Sequence, residues 1–435
     1  MSMSDSVDSV YKSMVPARNY YRAARKVREE GVQSAVESAY KYYAPRPLRD
    51  IVVPFLVEIY PSKTVFSTEL TSRASEQGRL WHVESTMEDA TDFIRMGGDI
   101  PEDVRFVDSR RGGGIRPFES KLQPFIRERP FVCEVVDARI VGSEPIGVTG
   151  DGEVIVDTIT HTTEDNERLH DAVHAILRRH GLRFATDMLS GGAVSRENGA
   201  AFETVCMLTN PWTNYYHWTV EHVPKVRAIE RYVEATGRSP RLLIPEDPSG
   251  WMLELLEHVG VDLTNCIEWT YERATAERLV VPSYPCMTPA TTRWVKDRVL
   301  NSISESAATS QSWPSRIFIS RREAKTRHVV NEPEMMETLS GMGFESVVLE
   351  EMSVAEQAAL FSNVEVVVAP HGAGLTNMLY GNDITVIELF GNMRATYYRM
   401  AEMLGFEYMY VLCDKQGTDM IVGVSELRQL LERVL

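Results

Sequence analysis

The stretch VEVVVAPHGAGLTN at residues 364–377 decides the fold. Its apolar, mostly β-branched run predicts a buried strand, and Pro-His-Gly-Ala-Gly then leads into the start of a helix. In open α/β sheets, ligands bind outside the carboxyl ends of the strands, where glycines let backbone N–H groups approach a phosphate. The stretch therefore predicts a parallel sheet with an anion site beside His371, and a tight structural turn is the alternative. Residues 372–377 read G-A-G-L-T-N, not G-x-G-x-x-G, which disfavours a nicotinamide cofactor.

Strand and helix patterns alternate around this stretch, from about residue 200 to the end of the chain. Repeated βα units indicate parallel sheets with helices on both faces, so the predicted fold class is α/β. The polar stretch 301–315 divides the region into two α/β halves, which would face each other across a cleft. The predicted domains are a basic amphipathic helical segment (1–50), a strand-rich N-terminal region (51–200), two α/β domains (201–305 and 306–412) and a C-terminal helix (413–435).

Composition limits the classes of partner. The 62 acidic residues outnumber the 46 basic ones and give a net charge of −16, which disfavours nucleic-acid binding. Lysine is scarce among the basic residues, as in a halophilic protein, and an ordinary acidic protein is the alternative. The five cysteines are scattered without a C-x-x-C, which indicates a reducing compartment. The N-terminus lacks a signal-peptide pattern and no apolar run is long enough for a membrane span, so we expect a cytoplasmic protein.

A second strand-end motif, RIFISRREAKTRHVVNE at 316–332, concentrates positive charge. Its strand is predicted to end at Ser320. The cations that follow within seven residues are Arg321, Arg322, Lys325 and Arg327. Guanidinium groups match phosphate oxygens bidentately, so a diphosphate is the natural ligand. The alternative is a solvated basic turn paired with Glu332 or Glu334, and Arg327 is the cation expected to be merely solvated.

A third motif, NYYHWTVEHVPKV at 214–226, opens a predicted helix over 215–235 with Asn214 as N-cap. His217 and Glu221 lie four residues apart and so share one helix face. A carboxylate beside an imidazole fixes its tautomer and raises its basicity, as a general base requires. The alternative is a packed, hydrogen-bonded histidine without a catalytic role.

Metal binding is not expected. The pair His170 and His174 resembles the zinc-protease motif H-E-x-x-H, but the shorter Asp171 would misplace the base and no third ligand follows at a standard spacing. The chain also contains no Asp-x-Asp, a usual motif for binding a metal ion together with a diphosphate.

The N-terminal segment has a charge opposite to that of the rest of the chain. Residues 10–49 carry nine Lys and Arg against three Asp and Glu, with tyrosines at interleaved positions. Basic amphipathic helices of this kind bind anionic membrane surfaces, which would add peripheral contact with the inner membrane face to the cytoplasmic location. The alternative is packing on the protein's own acidic surface or at an oligomer contact, and the oligomeric state stays open.

Four stretches together resemble glycosyltransferase family 61, which includes plant xylosyl- and arabinosyltransferases, animal O-linked N-acetylglucosaminyltransferases and prokaryotic capsular-polysaccharide proteins. They are NYYHWTVEHVPKV (214–226), ISRREAKTRHVVNE (319–332), LEEMSVAEQAALFSNVEVVVAPHGAGLTN (349–377) and VIELF (386–390). The resemblance covers roughly 200–412. It implies two Rossmann-like domains of the GT-B type, an acceptor-side domain (201–305) and a nucleotide-sugar-binding domain (306–412).

The resemblance also implies metal-independent, inverting transfer from a nucleotide-diphosphate sugar, often UDP-linked, to a hydroxyl of a glycan, lipid-linked glycan or protein. His217 would be the base, oriented by Glu221, with His371 as the competing choice. Arg321 and Arg322 would meet the diphosphate, Glu388 would hold the ribose hydroxyls, and Met352 and Ser353 would lie near the nucleotide base. The other donor-binding residues are Ser320, Lys325, Gly372, Ala373, Gly374, Thr376 and Asn377. The alternative function is a non-catalytic nucleotide-sugar-binding scaffold in a glycan-assembly complex.

Overall fold

The computed structural model describes residues 64–83, 130–142, 144–159, 199–210, 212–285, 287–304 and 311–435. The predicted basic segment 1–50 and the pair His170 and His174 lie outside these residues. The described chain forms two large β-sheets covered by helices, together with a small hairpin.

The first sheet has nine strands and joins the strand-rich N-terminal region to the first α/β half. Its strands are β1 (Thr64–Val65), β2 (Leu80–His82), β3 (Phe131–Val141), β4 (Ile146–Val148), β5 (Val154–Ile155), β6 (Ala200–Met207), β7 (Arg241–Ile244), β8 (Cys266–Glu268) and β9 (Arg273–Pro282). The strands β9-β6-β7-β8 are parallel neighbours, and β3 runs antiparallel to the whole of β9. The N-terminal strands therefore extend this sheet, since β3 pairs along the outer edge of β9.

The second sheet is built from the stretch that decides the fold. Its five strands are β10 (Arg316–Ile319), β11 (Glu345–Val347), β12 (Val366–Pro370), β13 (Thr385–Phe390) and β14 (Tyr408–Leu412). They are all parallel and lie in the order β11-β10-β12-β13-β14. This is a doubly wound order, in which the connections reverse direction between β10 and β12. The hairpin that follows consists of β15 (Asp414–Gln416) and β16 (Asp419–Ile421).

Helices cover both faces of the sheets. They are α1 (Ser67–Glu76), α2 (Tyr215–His217), α3 (Lys225–Thr236), α4 (Gly250–His258), α5 (Pro289–Ser302), α6 (Glu332–Gly341), α7 (Val354–Asn363), α8 (Thr396–Leu404) and α9 (Val424–Val434). A 3-10 helix, Ala373–Tyr380, follows β12. No helix in the described ranges is both long and apolar enough to cross a bilayer.

Successive residues of β12 pack on opposite faces of the second sheet. Val367 and Ala369 face a core that also contains α7, α8 and the 3-10 helix, whereas Val366 and Val368 face α6 and α9. The first core continues into the first sheet through α3, α4 and α5, so both halves share one apolar interior. Polar contacts also join the halves, because the Glu254 carboxylate of α4 accepts the Val354 and Ala355 N–H groups of α7 at 3.0 and 3.1 Å.

The predicted continuous helix over 215–235 is wrong. A π-helical turn, Trp218–His222, separates α2 from α3, and Val223 N–H donates to Trp218 O at 2.9 Å. Pro224 explains the break, because it has no N–H to donate and its ring would clash with the carbonyl four residues earlier in an α-helix. Single π turns of this kind occur often at functional sites.

Candidate active site

The first group of site residues lies on the turn that Pro224 imposes. Asn214 caps α2 as predicted, with its Oδ1 accepting His217 N–H at 3.2 Å. The Nδ1 atom of His217 lies 2.7 Å from Glu221 Oε2. The carboxylate thereby favours the tautomer with the proton on Nδ1, and Nε2 becomes the nitrogen that can accept a proton. The two side chains predicted from spacing are therefore in direct contact.

Two residues that the sequence analysis missed support this pair. Tyr284 donates its hydroxyl hydrogen to Glu221 Oε2 at 2.7 Å, and Asn210 Nδ2 donates to the Tyr284 oxygen at 2.9 Å. Asn210 follows β6, and Tyr284 follows β9. These strands are parallel neighbours, so their carboxyl ends lie at the same edge of the sheet, where α/β proteins bind ligands. A rule that marks polar residues just after such strands would have found both.

A buried lysine, Lys225, lies near the Glu221 carboxylate. Lys225 is almost fully buried; its Nζ donates to Met207 O at 3.2 Å and lies 5.2 Å from the centre of the Tyr284 ring. Burial lowers the pKa of Lys225 to about 8, opposed by neighbouring acids that include Glu221 and Asp157. At pH 7 the ammonium therefore still carries most of its charge, and it balances buried carboxylates that would otherwise be costly to ionise.

The second group lies at the switch point of the second sheet, between β10 and β12. Arg321 follows β10 directly, and its Nε donates to Thr326 O at 3.1 Å. Its guanidinium lies against Gly372, where a Cβ atom would come within 2.1 Å of Arg321 NH1. Burial, together with the charge of Arg327, lowers the pKa of Arg321, although arginine stays protonated in practice. Arg321 and the glycine turn are therefore in direct contact, as expected if the two strand-end motifs form one anion site.

The other cations of the motif have different surroundings. Arg322 is exposed and pairs with Glu351 at 2.9 Å, and Lys325 is also exposed. Arg327 is exposed, as expected, and its NH1 also donates to His371 O at 2.9 Å. Its backbone has a positive φ of 65°. Ser320 is buried and donates its hydroxyl to Glu332 Oε1 at 2.7 Å.

A second histidine–carboxylate pair lies beside this cation group. His371 Nδ1 lies 2.5 Å from Glu388 Oε1, and Tyr408 donates its hydroxyl to Glu388 Oε2 at 2.5 Å. Glu388 has no exposed surface, and this burial raises the pKa of its carboxyl group. Because both carboxylate oxygens are engaged inside the protein, Glu388 presents neither to a ribose in this structure. The expectation that it holds the ribose hydroxyls lacks support here.

The predicted phosphate-facing turn is built tightly into the fold. A Cβ at Gly374 would lie 2.8 Å from the Leu349 side chain, so only glycine fits there without a shift. Thr376 is buried, and Ala373 begins the 3-10 helix. Asn377 accepts from the Tyr215 hydroxyl at 2.6 Å and donates to Gln357 Oε1 at 2.7 Å, so it ties the two halves together.

The residues expected near the nucleotide base lie at the start of α7. Ser353 caps this helix through a capping box with Glu356, and Met352 packs half-buried against the shared core. The first free N–H groups of α7 already bind Glu254. The helix start therefore has a protein carboxylate where a ligand anion would otherwise bind.

Aromatic contacts connect the two groups of site residues. The His217 ring contacts Tyr216 at 5.2 Å between centroids, Tyr216 contacts Tyr397 at 5.9 Å, and Tyr397 contacts His371 at 5.2 Å. The histidine–carboxylate pair of the first sheet and the cation group of the second therefore border one continuous region. Within the described ranges, no group of three or more His, Cys, Asp or Glu side chains has an arrangement suited to a metal ion.

A histidine–carboxylate pair at the strand ends of one sheet and anchored arginines at the switch point of the other are the arrangement expected of a group-transfer enzyme of the α/β class. Residues 215–387 match the family model described as Glycosyltransferase 61, a range that contains His217, Glu221, Arg321 and His371. The resemblance found in the sequence is therefore confirmed: the chain carries a glycosyltransferase 61 domain and is a glycosyltransferase. No curated protein matches the chain.

Proposed function

We propose that the protein is an inverting, metal-independent glycosyltransferase that uses a nucleotide-diphosphate sugar, with UDP as the expected nucleotide. The acceptor would be a hydroxyl of a glycan, a lipid-linked glycan or a protein. The observation that carries this proposal is the pairing of His217 with Glu221 on one sheet and of Arg321 with Gly372 on the other. The two sheets would act as the facing domains of a GT-B enzyme.

The proposed reaction is a single displacement at the anomeric carbon. The acceptor oxygen forms a bond to this carbon while the bond from the carbon to the diphosphate oxygen breaks, and the electron pair leaves with the diphosphate. The acceptor proton moves to Nε2 of His217, whose other nitrogen is held by Glu221. Arg321 supplies positive charge where the diphosphate develops negative charge, which is the task a metal performs in other transferases.

The test of the proposed base is His217→Gln. General acid–base catalysis contributes about 10²–10⁴-fold, so turnover should fall by that factor while UDP affinity stays near the wild-type value. His82→Gln, which removes an exposed imidazole on β2, is the matched control and should leave turnover unchanged. Unchanged turnover in His217→Gln would reassign the base to His371 or Glu221. UDP binding by the wild type without transfer or hydrolysis, over a broad acceptor panel, would favour the scaffold alternative.

Metal independence has its own test. Transfer by the purified enzyme should persist in excess EDTA, because the cations of the β10–α6 loop neutralise the leaving group in this proposal. Activity lost on chelation and restored by manganese would refute the proposed role of Arg321.

Location is a separate part of the proposal. We propose a cytoplasmic enzyme that contacts the inner membrane face through residues 10–49, a segment outside the described residues. Co-sedimentation with anionic vesicles should be stronger for the full chain than for a chain that starts at residue 49. Equal partition of the two chains would contradict the membrane contact.

A further inference from the structure

His371 occupies a different electrostatic setting from His217, although each imidazole binds a glutamate through Nδ1. The Glu388 carboxylate that holds His371 is fully buried on β13 and takes a second hydrogen bond from Tyr408 of β14. Its charge cannot reach a ligand directly, so it acts on the site only through the imidazole. The His371 side chain is itself 14% exposed, which leaves part of the ring at the surface of the site.

The groups that face His371 come from every neighbouring element. Tyr397 of α8 contacts its ring at 5.2 Å, and Phe390 at the end of β13 stacks on it at 5.7 Å. Arg327 donates to the backbone carbonyl of His371, and Arg321 lies against the next residue, Gly372. Among these charged groups, the Glu388 carboxylate favours a charge on the imidazole, and the guanidinium groups of Arg321 and Arg327 oppose it.

A diphosphate at the glycine turn would reverse this balance. Its negative charges would favour the protonated imidazole, and Nε2–H would then donate to a phosphate oxygen while Nδ1–H stays on Glu388. A group in this position suits the leaving diphosphate better than the acceptor hydroxyl.

We propose that His371 is the proton-carrying partner of the diphosphate: it takes up a proton from solution when the nucleotide binds and donates Nε2–H to a phosphate oxygen as the sugar leaves. The inference rests on the proposed function for the identity of the nucleotide. In the balanced reaction, the acceptor proton goes to His217, and the His371 proton returns to solution when the nucleotide diphosphate departs. His371 is therefore not the competing base but the counterpart of His217 on the leaving-group side.

The test is the proton linkage of UDP binding to the full chain without acceptor. Calorimetry in buffers of different ionisation enthalpy gives the number of protons taken up, at pH values from 6.5 to 9. UDP titrates its own terminal phosphate, so the same titrations are made with a UDP-sugar, whose diphosphate stays fully ionised over this range. We expect the wild type and His217→Gln to show the same additional proton uptake, and His371→Gln to lack it.

Because proton uptake and UDP binding are linked, the affinity for UDP should also depend on pH. In the wild type it should fall as the pH rises, by at most tenfold per pH unit, and this dependence should be flatter in His371→Gln. Uridine, which lacks the diphosphate, should show no uptake in any variant. Tyr408→Phe removes one hydrogen bond from Glu388 and strengthens its hold on the imidazolium, so proton uptake should extend to higher pH. This second variant keeps the test valid if His371→Gln is poorly folded.

Equal proton uptake by wild type and His371→Gln, with UDP bound by both, would overturn this inference and leave the donor site of the proposed function intact. A wild-type protein that binds no UDP at all would overturn both together. The two failures are therefore distinguishable in the same experiment.

Discussion

The Tyr284 hydroxyl donates to Glu221 Oε2 at 2.7 Å, and the same carboxylate oxygen lies 2.7 Å from His217 Nδ1. Two donors on one oxygen fix the position of this carboxylate, and through it the plane of the imidazole. Because Tyr284 follows the end of β9 and His217 lies on α2, the position of the proposed base depends on the first sheet as well as on its own helix.

Tyr284→Phe should therefore impair the base without removing it. A hydrogen bond to a charged group contributes about 1.5–3 kcal/mol, so we expect turnover to fall on the order of tenfold. UDP affinity should stay near the wild-type value, because Tyr284 lies beside the proposed base and not beside the arginines of the second sheet. A loss of UDP affinity in parallel with turnover would contradict this positioning role. Tyr271→Phe is the control, since its ring packs on Trp269 and Phe202 away from this pair.

The two adjacent arginines after β10 should differ in their effect on nucleotide binding. Arg321 is anchored by Thr326 O and lies on Gly372, whereas Arg322 is exposed and paired with Glu351. Arg321→Ala should weaken UDP binding by roughly 10–100-fold, the worth of a charge-assisted contact, and Arg322→Ala by less than about threefold. Titration calorimetry with UDP measures both. Equal losses would show that Arg322 also contacts the diphosphate.

The apolar sequence patterns predicted the strands of the second sheet well, because these patterns depend only on residues close together in the sequence. The strand predicted to end at Ser320 is β10, Arg316–Ile319, and the apolar run after residue 364 contains β12, Val366–Pro370. Asn214 is the expected helix cap. Apolar alternation and capping depend only on near neighbours in the sequence, so they can be read without knowing the fold.

The remainder of the site depends on contacts between distant parts of the chain. Tyr284 meets Glu221 only in the folded first sheet, and Tyr408 meets Glu388 because β13 and β14 lie side by side. The bond from Arg327 to the His371 carbonyl likewise joins residues far apart in the sequence. β6 was missed because the first half of Ala200–Met207 is only partly buried and carries a weak apolar signal.

Gly372→Ala tests the contact between the glycine turn and Arg321. Gly372 has an extended backbone with φ of 179°, which alanine can adopt, so the fold should be retained. The new Cβ would displace the guanidinium, since it would come within 2.1 Å of Arg321 NH1. We expect UDP affinity to fall about tenfold, within the range for a charged hydrogen bond. In an Arg321→Ala background the same change should add little, because the group it displaces is already absent.

A matched glycine provides the control for this prediction. A Cβ at Gly341, the last residue of α6, would meet no atom within 4 Å. Gly341→Ala should leave UDP affinity unchanged and raise the free energy of unfolding by about 0.5–1 kcal/mol. Additive losses in the double variant Gly372→Ala with Arg321→Ala would contradict the proposed coupling.

His222, which directly follows Glu221 in the sequence, makes the free energy of unfolding depend on pH. It is fully buried, and its Nε2 lies 2.9 Å from Trp212 O and 3.1 Å from Asn210 Oδ1. Burial, and then the charge of Lys225, lowers the pKa of His222 from 6.5 to about 3. Between these values the unfolded chain binds a proton that the folded chain does not, so this group stabilises the fold above pH 6.5 and the stabilisation is lost as the pH falls toward 3.

His222→Gln should remove this part of the pH dependence. In wild type the group lowers the free energy of unfolding by up to about 1.4 kcal/mol for each pH unit below 6.5. Urea unfolding at pH 4.5, 5.5, 6.5 and 7.5 should show a shallower slope for His222→Gln, even though losing the imidazole lowers its stability at pH 7.5. His82→Gln removes an exposed imidazole and should keep the wild-type slope. Parallel slopes for wild type and His222→Gln would mean that His222 can be protonated within the folded protein.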